Sequence, residues 1–216
     1  MKAVLISIQP KWCELIASRK KTVEVRKTRP NMNVPFKCYI YCTNSKIEFL
    51  QSRSNVLFYC ENKDFIGGHG PGTYTRLNGH VIGEFVCDRV DRIVHSGTCN
   101  NDIRLRIVDE HLNCKEIDYA YLDACKLSYS DIDNYSGGRD VYGWHISELV
   151  IYDKPKELNE FYKKCEGFPC EGCEHLKYQR VNADEYDYEC EFYNFNYHIP
   201  ITRPPQSWCY VEELRK

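Results

Sequence analysis

Three charged side chains fall within six residues of one another in the run Lys21-Thr22-Val23-Glu24-Val25-Arg26. A lysine ammonium binds a phosphate as a point charge, and burial that lowers its proton affinity turns it into a base. An arginine offers a planar fork to a phosphate or to the acceptor edge of a nucleobase. A carboxylate accepts from an exocyclic amine or orients the arginine. Strand spacing puts Glu24 and Arg26 on one face, so the two also read as a structural ion pair. Lys21 adds a charge that such a pair does not need. Lys21, Glu24 and Arg26 are therefore candidate ligand-binding residues, and Lys21 is the catalytic candidate if the protein is an enzyme.

Other side chains extend the list. Tyr39 and Tyr41 lie opposite the Phe36, Cys38, Ile40 and Cys42 face of one apolar run, where they are candidate platforms for stacking an unpaired base. Trp12 falls on the apolar stripe of a helix and reads as core. Ser7, Gln9, Thr22, Glu84, His145 and Ser147 are polar positions on otherwise apolar strands. His145 and Ser147 share a strand face but show no third partner, so His145 reads as a hydrogen-bonded core histidine rather than a catalytic base. The Gly67-Gly68-His69-Gly70-Pro71-Gly72 loop lacks the Gly-Lys-Ser/Thr of a Walker loop.

Cys165, Cys170, Cys173 and Cys190 form a separate constellation. A Cys-x2-Cys knuckle brings two thiolates to one tetrahedral ion and a distant thiol closes the shell, which fits structural zinc, with His175 as the alternative fourth ligand. Free reduced thiols and a redox pair at Cys170 and Cys173 are the competing readings. The other cysteines sit mainly on apolar strand faces, as Cys38, Cys42 and Cys87 do, and act as small hydrophobes.

The elements that must position these residues are mostly short strands. Val4, Ile6 and Ile8 alternate with Leu5 and Ser7. Pro10 then opens a short helix in which Trp12, Leu15 and Ile16 make one stripe, ending near Ser18. From Thr22 the period is two again, with Val23 and Val25 inward and Glu24 and Arg26 on the opposite face. Residues 36–42 form a third strand and a loop stretch follows. Asn78-Gly79 turns into a long strand over residues 80–87, where Gly83 suggests a bulge or a bend. Residues 101–135 read as more helical, with Ser128-Tyr129-Ser130-Asp131 as a capping signal and Gly137-Gly138 as a stop. Residues 141–152 are strand, ended by Asp153-Lys154-Pro155. Arg203-Pro204-Pro205-Gln206-Ser207-Trp208 leads an extended segment back to the sheet. The composition changes past residue 155, which divides the chain into 1–155, a cysteine-rich extension at 156–197 and a closing segment at 198–216. The class is α+β leaning to β, a small curled sheet or barrel with flanking short helices.

A length of 216 residues suits one domain with an appendage. The net charge of −2 conceals a polarity: residues 1–50 hold ten Lys/Arg against three Asp/Glu, or +7, whereas residues 51–150 carry −5 and residues 151–216 carry −4. An anionic partner should meet the N-terminal third. The start Met-Lys-Ala-Val lacks the features of a secretory signal, and no apolar run approaches the ~20 residues of a membrane span. The expectation is a cytoplasmic protein with reduced thiols and no membrane contact.

The motif order of strand, Ser7-Ile8-x-Pro10-x-Trp12, short helix and Lys21-x-x-Glu24-x-Arg26 resembles the activating signal cointegrator homology (ASCH) domain. The likeness extends over Gly79-His80-Val81-Ile82-Gly83-Glu84 and Tyr142-Gly143-Trp144-His145-Ile146, roughly residues 1–155. It is nearest in pattern to phage and prophage members from Firmicutes, which carry a cysteine-bearing extension and a Pro-Pro-Gln-Ser-Trp ending. The resemblance implies a PUA-like β-barrel with a cleft beside the N-terminal helix and an association with RNA or modified nucleosides. Some small members hydrolyse N4-acetylcytidine with a threonine at the position of Glu24, and others have been assigned ribonuclease activity. Arg19 stands where the family usually has glycine, so a left-handed turn residue is not expected there. The expected function is an RNA- or nucleotide-binding module. The alternatives are an amidohydrolase or ribonuclease acting on a modified nucleoside or RNA, and a regulator that meets a protein partner through its acidic C-terminal part.

Overall fold

The computed structural model describes residues 1–54, 56–60, 74–99, 102–109, 112–164 and 198–214. The candidate zinc ligands Cys165, Cys170, Cys173 and Cys190, the alternative His175 and the loop at residues 67–72 lie outside them.

Val4, Ile6 and Ile8 alternate with Ala3 and Leu5 along β1 (Lys2–Ile8), and all five are buried, because the strand lies between two cores. Pro10 occupies the first turn of α1 (Pro10–Ala17), where its missing N–H costs nothing. After α1 come β2 (Val23–Arg26) and β3 (Phe36–Cys42). The order continues with β4 (Glu48–Ser52), β5 (Leu57–Cys60), β6 (Tyr74–Arg76), β7 (Val81–Cys99), β8 (Asp102–Val108) and β9 (Cys114–Glu116). Two short helices follow, α2 (Tyr119–Cys125) and α3 (Tyr129–Ser136), then β10 (Val141–Lys156), β11 (Tyr162–Lys164), β12 (His198–Pro200) and β13 (Trp208–Glu212). The fold is mixed α+β and mostly sheet.

The main sheet runs β13-β1-β3-β7-β10-β2, with β8 and β9 continuing from β7. β1 and β3 are parallel, so a crossover must join them, and that crossover consists of α1 and β2. β13 pairs antiparallel to β1, with Leu5 opposite Cys209. β11 and β12, the strands on either side of residues 165–197, pair with each other antiparallel.

The expected closed barrel is corrected: among the described residues the pairing path is open, with β2 at one end and β13 at the other. The segment before β13 contains Pro204 and Pro205, which have no amide hydrogen to offer a ladder. Other bonds span the seam instead. Arg26 Nη2 donates to the Ser7 carbonyl at 2.6 Å, Ser7 Oγ to the Pro205 carbonyl at 2.6 Å, and Trp208 Nε1 to Thr28 Oγ1 at 3.0 Å.

Three further expectations differ from the structure. Residues 48–76, read as loop, contain the separate three-stranded sheet β5-β4-β6. Residues 102–108, read as helical, are strand, because Ile103, Leu105 and Ile107 alternate and pair with β7. β7 and β10 run well past their expected limits because bulges let each strand bend without ending. Gly83 sits at one such irregularity. A Cβ there would collide with the Val150 carbonyl oxygen, because β10 bulges toward β7 between Ser147 and Val150. The helical capping signals hold, with a Ser128/Asp131 capping box and Gly137 in the left-handed C-cap position of α3.

The sheet buries both faces. Phe36, Cys38, Ile40, Phe85 and Trp144 join Cys13 and Ile16 of α1 on one side, and Phe36 meets Trp144 edge-on at 5.7 Å. Ala3, Leu5, Tyr39, Tyr41, Phe161, Ile201 and Val211 fill the other. A third core joins Val23 and Val25 of β2 to β8, α2 and α3. Substituting Gly83 by alanine is expected to cost about 1–3 kcal/mol in denaturant unfolding, the usual range for overpacking; a midpoint equal to wild type would mean that the bulge yields freely.

Candidate functional site

The turn from α1 into β2 is built by backbone bonds. The Arg19 amide donates to the Ile16 carbonyl at 2.8 Å, and the Lys20 amide to the Leu15 carbonyl at 2.9 Å, the two bonds of a Schellman motif. That motif puts Arg19 at φ 60°, in the left-handed region that the side chain was expected to avoid. The guanidinium offsets part of the strain by donating to the Leu149 carbonyl at 3.1 Å. The turn delivers Lys21 to the start of β2, and the strand then places Glu24 and Arg26 on the same side as Trp144, which is directly opposite Glu24. Val23 and Val25 face the other way into the α2 and α3 core, as strand alternation predicts.

Lys21, Glu24 and Arg26 are only 3%, 6% and 9% exposed. Glu24 lies between two cations: its Oε1 is 3.1 Å from Arg26 Nη2 and its Oε2 is 3.4 Å from Lys21 Nζ. Lys21 Nζ also donates to the Cys125 carbonyl at 2.5 Å and stands 5.0 Å from the centre of the Trp12 ring. Charges of +1, −1 and +1 leave the cluster at +1. Glu24 Oε2, Arg26 Nε and the indole nitrogen of Trp144 are buried without a hydrogen-bond partner in the protein. Such groups are uncommon in native interiors, and each costs about 1–3 kcal/mol.

These residues line a cavity of about 310 Å³ together with Ser7, Gln9, Trp12, Val25, Thr43, Leu127, Tyr135 and Gln206. The walls come from β1, α1, β2, the turn after β3, the α2–α3 region and the segment before β13. Ser7 and Gln9 were singled out by their sequence context. Trp12, assigned to the core, is a half-buried wall of the cavity. Thr43, Leu127, Tyr135 and Gln206 carried no local signal of their own, except that Gln206 belongs to the Pro-Pro-Gln-Ser-Trp segment.

The remaining candidates lie elsewhere. Tyr39 and Tyr41 are buried in the core on the other sheet face. Tyr39 packs against Phe161 at 4.9 Å and its hydroxyl accepts from the Leu214 amide, so neither ring has a face for a base. Glu84 pairs with Lys37 at 3.2 Å and accepts from Tyr152. His145 Nε2 is 2.6 Å from Asp91 Oδ2, and Ser147 donates to the Val86 carbonyl, so the two do not form a base–nucleophile pair.

The thiols near the cluster are poor nucleophiles. Burial pushes Cys125 up to about 12 even though the Lys21 ammonium acts in the opposite direction. Burial also holds Cys13, within electrostatic reach of Glu24 and Arg26, well above the ordinary thiol value. Among the described residues no group of three or more His, Cys, Asp or Glu side chains is placed to hold a metal ion, and no helix is long and apolar enough to cross a membrane.

No family model and no curated protein sequence matches the chain. Among solved structures, the chain is similar to ASCH from Zymomonas mobilis, at 14% identity and a TM-score of 0.46, covering 98% of this chain and 88% of that one. Two single-substitution mutants of that protein align at 15% identity with TM-scores of 0.47 and 0.46, covering 99% and 98% of this chain and 92% and 89% of theirs. These are structures of the family that the sequence motifs resemble.

Charge counting separates the roles within the cluster. Glu24→Gln leaves two buried cations side by side and is expected to destabilise by about 3–5 kcal/mol, the cost of breaking a buried pair. Lys21→Met leaves the neutral Glu24–Arg26 pair and should cost clearly less in the same urea titration. The reverse ranking would contradict a cluster charge of +1. At the turn, Arg19→Gly and Arg19→Ala both lose the bond to Leu149, but only glycine suits the left-handed backbone. The alanine variant is expected to be less stable by roughly 1 kcal/mol, and equal unfolding midpoints would refute the strain.

Proposed function

We propose that the chain is an ASCH-type nucleotide- or RNA-binding module whose ligand enters the cavity walled by Trp12 and floored by Lys21, Glu24 and Arg26. One observation carries this reading: a buried charge cluster with a net +1 opens onto a cavity that also has an aromatic wall. A structural role would be satisfied by Glu24 and Arg26 alone. Burying a second cation beside them is costly unless an anion or a strong acceptor offsets it. A nucleotide supplies a negative charge, acceptor oxygens and a flat π-face in one molecule, which complements the cationic floor, the amides of Gln9 and Gln206 and the Trp12 ring. Binding is favoured over covalent catalysis because the neighbouring thiols are held protonated and the hydroxyl of Ser7 is committed to the Pro205 carbonyl.

Calorimetric titration with the common mononucleotides tests the reading. Lys21→Met is expected to weaken binding tenfold or more, since a hydrogen bond to a charged group contributes roughly 1.5–3 kcal/mol. Gln9→Ala, at an exposed position, should weaken it without touching the buried cluster. Heat signals identical in wild type and both variants would remove the cavity from the binding site. Turnover of an acylated nucleoside or a labelled RNA that disappears in Lys21→Met would replace a binding module with a hydrolase.

A further inference from the structure

We propose that the cavity takes one base of a longer single-stranded nucleic acid, whose flanking phosphates run over a cationic rim at Lys11 and Lys27. This rests on the cavity being the nucleotide site and adds what lies outside it. Two of its wall residues are aromatic, and each carries a surface lysine: Lys11 Nζ is 4.8 Å from the Trp12 ring centre, and Lys27 Nζ is 5.1 Å from that of Tyr135. Tyr135 is 38% exposed, so its ring reaches from the cavity wall to the surface. Both lysines are exposed, as is Lys20. Between residues 1 and 47 the only carboxylates are Glu14 and the buried Glu24. Lys11 is also within electrostatic reach of Asp131 on α3.

The geometry separates two kinds of positive charge. Lys21 and Arg26 are buried and serve whatever enters the cavity. Lys11 and Lys27 stand at two points of the rim, each over an aromatic wall residue of the cavity. A mononucleotide placed on the floor leaves the rim unused, whereas a strand engages both. The cavity, at about 310 Å³, is at the small end for ligand sites and suits a single nucleotide unit, with the rest of the chain left outside. Exposed lysines act on a polyanion by releasing counterions, and each phosphate neutralised in a single strand adds about 0.7 to the salt slope. A positive track beside aromatic platforms is the general design of single-strand binding surfaces.

The test compares a short single-stranded RNA, the DNA of the same sequence and a mononucleotide by fluorescence anisotropy and calorimetry across a salt series. The oligonucleotide is expected to bind at least tenfold tighter than the mononucleotide. Lys11→Ala and Lys27→Ala should each lower its salt slope by roughly 0.7 while leaving mononucleotide affinity within about twofold. Equal binding of RNA and DNA supports recognition through phosphates and base. Tighter RNA binding supports the same track with a ribose 2′-hydroxyl contact added. Oligonucleotide and mononucleotide binding with equal affinity, or slopes unchanged in both lysine variants, overturns the rim and leaves the cavity reading standing. Oligonucleotide binding that ignores Lys21→Met overturns the inserted base and the cavity reading together.

Discussion

The interaction on which the rest depends is the buried chain of charge from Lys21 through Glu24 to Arg26 and on to the Ser7 carbonyl. Among the described residues β2 and β13 are the two ends of a sheet whose pairing path stays open, with no backbone ladder joining them. Arg26 crosses that seam with one guanidinium nitrogen, which bonds both Glu24 and Ser7. The same residues that hold the seam therefore floor the cavity, because the place where the ladder fails is also where a pocket can open. Polar side chains stand in for a missing strand, and their charge faces the cavity as a consequence.

The proposed dual use accounts for a cluster that combines burial with incomplete satisfaction. A purely structural bridge would pair every donor and acceptor, as the Ser128/Asp131 capping box does. Here Glu24 Oε2, Arg26 Nε and the Trp144 indole nitrogen, on neighbouring positions of β2 and β10, lack hydrogen-bond partners in the protein, and Oε2 has only its 3.4 Å ion pair with Lys21. Interiors tolerate such groups where another contact compensates or where function requires them. Burial raises the nearby Cys13 and Cys125 thiols, so the proposed binding role draws on the charges and the aromatic wall rather than on cysteine chemistry.

Much of the fold was legible because local periodicity reports faces. The alternation in β3 correctly separated Phe36, Cys38, Ile40 and Cys42 from Tyr39 and Tyr41. It could not show that Phe161, Ile201 and Val211, far along the chain, would cover the tyrosines and turn a supposed platform into core. The strands over residues 48–76 escaped notice because they are short and the sequence between them is rich in serine, arginine and glycine, which masks their alternation. β8 was misread although Ile103, Leu105 and Ile107 alternate, since helix signals further on dominated the stretch. Arg19 shows the limit of propensity: the two Schellman bonds and the contact with Leu149 outweigh the cost of a Cβ at positive φ.

By itself the sequence determined the local chemistry: the α1 turn, the strand that follows it, and the presentation of Glu24 and Arg26 opposite Val23 and Val25. These follow from capping, helix stops and period-two alternation, all short-range. Only the tertiary structure decided that the sheet stays open, that Arg26 bridges it, and that Trp12, Thr43, Tyr135 and Gln206 join the cluster around one cavity. Those contacts unite residues up to two hundred positions apart, as Ser7 and Pro205 are. Their meeting depends on which strand pairs with which and where bulges bend the sheet, and no local pattern encodes that choice.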